Sequence, residues 1–334
     1  MRMIRMSLLG LAAAALVLIP TGGARASNDP SFKDQWGLEK IGAAAAWTRT
    51  TGAGIRIGII DTGIDLEHED LAGKVVESTS CVGSGGDPAK CKGSAQDDQG
   101  HGTHVSGIAA ASKDNGKGIA GVAPDAQLVV VKVMNAQGTG SGSDVIAGIK
   151  WAVDHGARVV NVSLGDPAQP ITALISENEL KEGVEYAWSH GAIAVLASGN
   201  SGTGLGIEGA NFGDMNGIIV GATGPDDQPT TYSTSTGEAK WAVAAPGGAA
   251  DTAHKAHDIY STFWINGQKN AYGYQAGTSM AAPHVSGAVA LLLAQGHSKD
   301  SAVARLLDTA DKVGCEATST TCRGRINVDK ATAK

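Results

Sequence analysis

Ile55-Arg56-Ile57-Gly58-Ile59-Ile60 runs directly into Asp61-Thr62-Gly63. A short, largely apolar and β-branched run bounded by a turn signal predicts a buried strand that ends at the aspartate. Further runs of this kind lie at 128–133, 159–164, 193–197 and 218–220. Between them, residues 105–111, 143–155 and 179–190 carry helical patterns. Strands alternating with helices predict an α/β fold with a parallel sheet covered on both faces. Residues 285–293 are apolar on nearly every side, which predicts a buried helix. Residues 302–307 read as a later surface helix. Residues 201–217, rich in Gly, and 224–238, rich in Thr, Asp and Pro, read as loops. No internal repeat or long linker divides the chain.

The first residues read differently. Arg2 and Arg5 precede an unbroken apolar or small run from Leu8 to Ile19, Pro20 interrupts it, and Ala24-Arg25-Ala26 is an A-x-A cleavage site. This predicts a secretory signal peptide over 1–26. The apolar run is too short to span a bilayer, which takes roughly 20 residues. No Cys stands at the cleavage point to carry a lipid. The expectation is an exported chain with no membrane anchor and one domain over 27–334. Losing residues 1–26 removes three arginines and no acid, so the net charge moves from −7 to −10. Such an acidic chain has no electrostatic footprint for nucleic acid. Glycine is abundant, 47 of 334 residues, but the apolar content of 42% is that of a folded protein, so the glycines point to tight turns and close backbone approach.

Four cysteines form two local pairs, Cys81 with Cys91 and Cys315 with Cys322. Export favours oxidation. Three connectivities exist, and the local pairing is favoured because each bridge would staple a Gly- or Ser/Thr-rich loop. A metal site is the rival reading, but no Cys-x-x-Cys spacing or nearby His supports it.

Three short motifs carry chemistry. Asp61 stands where a strand ends, the place where sites gather in open parallel sheets. His101 lies among Gly100, Gly102 and Thr103 at the start of a helix. Ser279, in Gly277-Thr278-Ser279-Met280-Ala281-Ala282-Pro283, opens the buried helix. Serine is a weak nucleophile that needs a base, and the base needs a partner to hold its tautomer. Ser279 is therefore the candidate nucleophile, His101 the general base and then acid, and Asp61 its orienting carboxylate. Helix N–H groups near the Ser279 Oγ favour developing negative charge. Alone, Asp-Thr-Gly can be a turn and Ser279 a helix cap.

Taken together and in the order Asp, His, Ser, these motifs resemble the subtilase family of serine proteases. So does Val195-Leu196-Ala197-Ser198-Gly199-Asn200, which resembles the family segment ending in the oxyanion-hole asparagine, here Asn200. The resemblance runs from Asn28 to about Lys330 and includes Gly121-Val122-Ala123-Pro124, Val160-Asn161-Val162-Ser163-Leu164-Gly165 and Gly324-Arg325-Ile326-Asn327-Val328. Asn28-Asp29-Pro30, Trp36-Gly37-Leu38, Ile41 and Trp47 are similar to the thermitase-like branch. The resemblance implies a three-layer α/β/α fold with a mostly parallel sheet of about seven strands. It implies a secreted, monomeric serine endopeptidase acting on peptides or proteins, with no organic cofactor. It makes His101 the catalytic imidazole and leaves His104 a packing or hydrogen-bonding role.

The resemblance also implies subsites. An extended peptide would lie between Gly138-Thr139-Gly140-Ser141-Gly142 and Ser163-Leu164-Gly165, with Ala197, Ser198 and Gly199 bordering a pocket for an apolar residue. The stretch 209–214 departs from the family's Tyr-Pro-Ala. Asp166, Glu177, Glu179, Glu182 and Glu185 form either an acidic rim that favours basic substrate residues or a solvated helix face. For Ca2+, Asp29, Asp70 and Asn115 match ligand positions, with the carbonyls of Lys113, Lys117 and Ile119 completing an oxygen shell. About thirty residues separate Ala26 from the Asp61 strand, and they read as domain rather than as a propeptide. The alternatives are an inactive binding module on the same fold, against which stand all four chemical groups, and a peptide ligase or cyclase. A lipase or esterase is disfavoured, since Gly-x-Ser-x-Gly is absent around Ser279.

Overall fold

The computed structural model describes residues 27–163, 172–174, 177–200 and 212–334. The leader read over 1–26 lies outside the described residues, as do Leu164, Gly165, Asp166 and 201–211. Strands are β1 Arg56–Asp61, β2 Val75–Ser80, β3 Gln127–Lys132, β4 Thr139–Ser141, β5 Val159–Val162, β6 Thr172–Leu174, β7 Ile193–Ala197, β8 Gly217–Thr223, β9 Trp241–Pro246, β10 Ile259–Ile265, β11 Gln268–Gln275 and β12 Cys322–Arg325. Helices are α1 Trp36–Lys40, α2 Ala43–Ala46, α3 His101–Ala110, α4 Gly142–Asp154, α5 Glu177–Ser189, α6 Thr278–Ala294, α7 Lys299–Asp308 and α8 Val328–Thr332.

Among the described residues, eight strands form one sheet in the order β12-β9-β8-β7-β5-β1-β3-β2. Every pairing in it is parallel. This is one strand more than the expected seven or so. The addition is at an edge, where polar Cys322–Arg325 pairs with β9 through Cys322↔Ala242 and Arg325↔Ala244. β1 lies in the sheet's interior between β5 and β3.

The strands read as continuous apolar runs because both faces are covered. Alternate side chains feed two cores. Ile57, Ile59, Leu128, Val130, Val159, Ile193 and Val195 pack on the side of α3 and α6. Ile60, Val129, Val131, Val160, Val162, Ala194 and Leu196 pack on the side of α4 and α5. The three-layer expectation is met. The helix expected over 285–293 is α6, and it starts seven residues earlier; all of it is buried except its last residue.

Two elements carry little periodic signal. β2 is half-exposed Val75–Ser80 at the sheet edge. β10 and β11 form an antiparallel hairpin outside the main sheet. Buried His104 on α3 ties this hairpin down, its Nε2–H donating to Ile259 O and Gly273 O at 3.1 Å each. The packing role read for His104 is what it performs. Both disulfides are the local ones, Cys81–Cys91 and Cys315–Cys322. No helix of the described residues is long and apolar enough to cross a membrane.

Burial pushes the His104 imidazole down to about 3, and it pushes His284, bonded through Nδ1 to Met280 O, down to about 4. Unfolding frees both to bind protons at their ordinary value near 6.5. Between these values the unfolded chain holds more protons, so stability rises with pH and is lost as pH falls below about 6.5, by up to about 1.4 kcal/mol per pH unit for each imidazole. Urea midpoints from pH 4.5 to 7.5 should show this slope, and His104→Gln should reduce it whatever its absolute stability.

Candidate active site

Asp61 is the last residue of β1 and His101 the first of α3. The His101 Nδ1–H donates to Asp61 Oδ1 at 2.7 Å, and both side chains are fully buried. The same oxygen accepts the Thr62 N–H at 2.7 Å. With Nδ1 as donor, a neutral ring carries its lone pair on Nε2.

Close approach of helix to strand makes this contact. A Cβ on Gly102 would stand 2.1 Å from the Gly63 carbonyl oxygen, so only glycine lets α3 begin there. Gly63 itself sits at φ 115°, in a left-handed turn that other residues rarely adopt.

A residue that sequence reasoning passed over organises the junction. Asp97 is fully buried. Its Oδ1 accepts from Thr62 Oγ1 at 2.9 Å, Gln99 N at 3.0 Å and Gly100 N at 2.9 Å. Its Oδ2 accepts from Thr103 N at 3.0 Å and Thr103 Oγ1 at 2.6 Å. Thr62 Oγ1 in turn accepts the Gly102 N–H at 2.8 Å, and Thr103 Oγ1 accepts the Asp65 N–H at 2.9 Å. The turn after β1 and the first turn of α3 are thus clamped on one carboxylate. An Asp followed two and three residues later by turn N–H groups is the signal that could have found it.

Ser279 is the second residue of α6, and the N-cap, Gly277, offers no side chain. The helix end is satisfied from elsewhere. Thr278 donates its N–H and Oγ1–H to Asn200 Oδ1, at 3.0 and 3.2 Å, and Gly199 N–H donates to Thr278 Oγ1 at 3.2 Å. This assigns the two ends of the Asn200 amide: oxygen toward Thr278, NH2 on the other side.

Pro283, inside α6, has no N–H for the carbonyl four residues before it, which is that of Ser279. Ser163 Oγ–H donates to this carbonyl at 3.1 Å. Ser163 accepts from Asn161 Nδ2 at 2.7 Å, and Asn161 Oδ1 accepts from Ser286 Oγ at 2.8 Å. A buried polar chain therefore locks α6 onto the end of β5. Ser163, expected at a substrate edge, holds the Ser279 backbone.

Other expected residues fall as follows. Gly138, at φ 68°, and Gly140 have local reasons to be glycine: a Cβ on Gly140 would stand 2.5 Å from Val133 O. β4 is paired in parallel with β6, Gly140 opposite Ala173. Ala197 closes β7, and Gly199 O accepts Thr234 N–H at 2.9 Å. Glu182 pairs with Lys150 at 2.6 Å, and Glu185 accepts Asn216 N–H and Nδ2–H at 2.9 and 2.7 Å, so these two acids serve the surface of α5. Leu164 and Gly165 lie outside the described residues.

Asp29 and Asp70 come together around the loop 113–119. Asp29 accepts backbone N–H groups of Asp114, Asn115 and Gly116 at 2.9 to 3.1 Å. Fully buried Asp70 accepts Asn115 Nδ2–H and Ile119 N–H, both at 2.8 Å, and Tyr272 O–H at 2.9 Å.

Asp97→Asn removes one of the acceptor oxygens from five donors, four of them buried, and faces them with an NH2. We expect it to cost about 2–4 kcal/mol in urea unfolding. Asp87→Asn, at an exposed cap where both residues serve, should cost under about 0.5 kcal/mol.

Comparisons with known proteins agree with this geometry. The model of the subtilase family matches residues 52–324. Thermitase of Thermoactinomyces vulgaris is 37% identical over 305 residues, covering 91% of this chain and 98% of the relative. Subtilisin Savinase of Lederbergia lenta is 36% identical over 89% of this chain and 98% of the relative. A solved protease structure from Pseudoalteromonas arctica superposes with a TM-score of 0.73 at 28% identity, covering 92% of this chain and 99% of that one. With an acid, an imidazole and a serine carried at strand and helix ends as described above, the chain belongs to the subtilase family and is a serine endopeptidase.

Proposed function

We propose that the chain is an exported endopeptidase, one peptidase domain over 27–334 behind a leader, that cleaves peptide bonds through Asp61, His101 and Ser279. Ser279 Oγ attacks the carbonyl carbon while His101 Nε2 takes its proton. Asp61 holds the ring by Nδ1 and stabilises the imidazolium. Collapse of the tetrahedral intermediate passes that proton to the leaving amine, and water then repeats the sequence on the acyl-enzyme. Asn200 Nδ2 and the Ser279 N–H donate to the oxyanion. The observation that carries this reading is the buried 2.7 Å contact between His101 Nδ1 and Asp61 Oδ1, since it sets the tautomer that base catalysis requires. The pinned oxygen of Asn200 supports the oxyanion role, because it directs donors rather than an acceptor away from Thr278.

A peptide would run along Gly138–Gly140 on one side and Ser163, Leu164 and Gly165 on the other, with Ala197 and Gly199 at the pocket before the cleaved bond. Asp29, Asp70 and Asn115, with the carbonyls of Lys113, Lys117 and Ile119, would hold Ca2+, which would neutralise the two carboxylates packed against the 113–119 loop. The donor set fits: all are hard oxygen ligands. Among the described residues no Lys or Arg pairs with Asp29 or Asp70. Binding requires Asn115 to present its Oδ1 in place of the Nδ2 it now gives to Asp70.

A fluorophosphonate probe read by intact mass should give one adduct on the native protein. Ser279→Ala should abolish it and His101→Ala suppress it; a folded native protein that takes no adduct would overturn the assignment. Asn200→Ala should lower kcat about 10²–10³-fold with little change in KM, the scale set by removal of subtilisin's oxyanion-hole asparagine.

Calcium at 100 times its Kd stabilises by about 2.7 kcal/mol. EGTA should therefore lower the melting temperature of the native protein by several degrees and leave that of Asp70→Asn unchanged.

A further inference from the structure

The chain between β9 and β10 reads Asp251-Thr252-Ala253-His254-Lys255-Ala256-His257-Asp258. Its backbone closes in three-residue steps, His254 N–H to Asp251 O at 3.2 Å, His257 N–H to His254 O at 2.9 Å and Asp258 N–H to Lys255 O at 3.0 Å. These are 3₁₀ closures, with Lys255–His257 a 3₁₀ turn. At three residues per turn, side chains three apart eclipse. An Asp-x-x-His-x-x-His spacing on such a turn therefore stacks its three ligating side chains on one side.

The side chains converge as that geometry requires. The imidazoles of His254 and His257 stack at 5.1 Å and 23°. Both present Nδ1 to Asp251 Oδ2, at 2.7 and 3.5 Å. Asp251 Oδ1 is occupied by the N–H groups of Ala253 and His254, at 2.9 and 3.3 Å, which orients the carboxylate and turns Oδ2 to the rings. The ligand atoms all lie within 4.8 Å of one another, and no other such group of His, Cys, Asp or Glu occurs among the described residues. The segment is anchored at both ends. Ala250 N–H donates to Asp258 Oδ1 at 2.8 Å, Ala249 N–H to His257 O at 3.1 Å and Trp36 Nε1–H to Asp258 O at 3.1 Å.

We propose that Asp251, His254 and His257 form a binding site for a divalent transition-metal ion of the zinc class, held by Asp251 Oδ2 and the two Nδ1 atoms with water in the fourth position. Two imidazoles and a carboxylate are the donor set such ions take. Ligands at about 2.0–2.1 Å from a tetrahedral zinc stand roughly 3.3–3.5 Å apart. The Asp251–His257 separation already meets this. The 2.7 Å contact from His254 is a hydrogen bond whose proton the metal displaces to solvent, the ring opening by under about 1 Å. Calcium, which takes six to eight oxygens, has no match in this set, so the site is chemically distinct from Asp29 and Asp70.

Zinc titration of the purified native protein in calcium-containing buffer, followed by calorimetry, should show one equivalent bound. His254→Gln and His257→Gln should each weaken it at least about 10–100-fold, the cost of losing even an outer-shell partner. His190→Gln, at an exposed imidazole elsewhere, should leave it unchanged. Cobalt on the native protein should give the visible bands of a four-coordinate ion, and peptidase activity of His254→Gln should equal that of the native enzyme. No stoichiometric binding, no such cobalt bands, or full-strength binding in the His254→Gln/His257→Gln double variant would overturn the proposal.

Discussion

The N-terminus of α6 has to be satisfied without water, and much of the site follows from that constraint. The helix is buried along nearly its whole length, its N-cap is a glycine, and Pro283 deprives the Ser279 carbonyl of its helical donor. Unpaired backbone groups in such a place are costly. Asn200 and Ser163, from two different strand ends, supply the missing partners. Satisfying the helix therefore draws Ser279 to the carboxyl ends of β5 and β7. The residue that caps the helix does so with its amide oxygen, which turns its amide nitrogen away from Thr278. Under the proposed mechanism the same side chain would meet both a structural and a chemical requirement.

The other half of the site is held by a carboxylate that takes part in no chemistry. Asp97 gathers five donors from the turn after β1 and the start of α3. The 2.7 Å contact of Asp61 with His101 depends on α3 beginning against Gly63, and a single methyl on Gly102 would prevent it. Orientation of a base to this tolerance is worth more to acyl transfer than the strength of any one hydrogen bond. His104, three residues along the same helix, faces the β10–β11 hairpin instead. Its burial keeps it neutral, although its two carbonyl partners by themselves favour the charged ring, so one imidazole of the motif meets a carboxylate and the other serves packing.

Much of the architecture was legible in the chain because parallel strands buried on both faces leave continuous apolar runs. β1, β3, β5, β7 and β8 are all visible in this way, as is the apolar body of α6. Edge strands β2 and β12 and the hairpin β10–β11 were not, since their pairing partners, rather than their own periodicity, make them strands. Asp61, His101, Ser279 and Asn200 were legible as motifs. Thr62, Asp97 and Thr278 went unread because hydrogen-bonding side chains in loops look alike until their partners are known. Ser163 was read for a substrate edge, and its bond to the Ser279 carbonyl could not be foreseen without the register of β5 against α6.

The sequence by itself determined the fold class, the order of the Asp, His and Ser motifs and the family, because these depend on local patterns: strand and helix periodicity, turn signals and short motifs around single residues. Only the tertiary structure decided which oxygens and nitrogens meet. The clamp on Asp97, the repair of the Pro283 break by Ser163, and the convergence of Asp251, His254 and His257 each depend on distances between atoms. Distances across a packed core are set by the simultaneous burial of many elements, information that no single stretch of sequence carries.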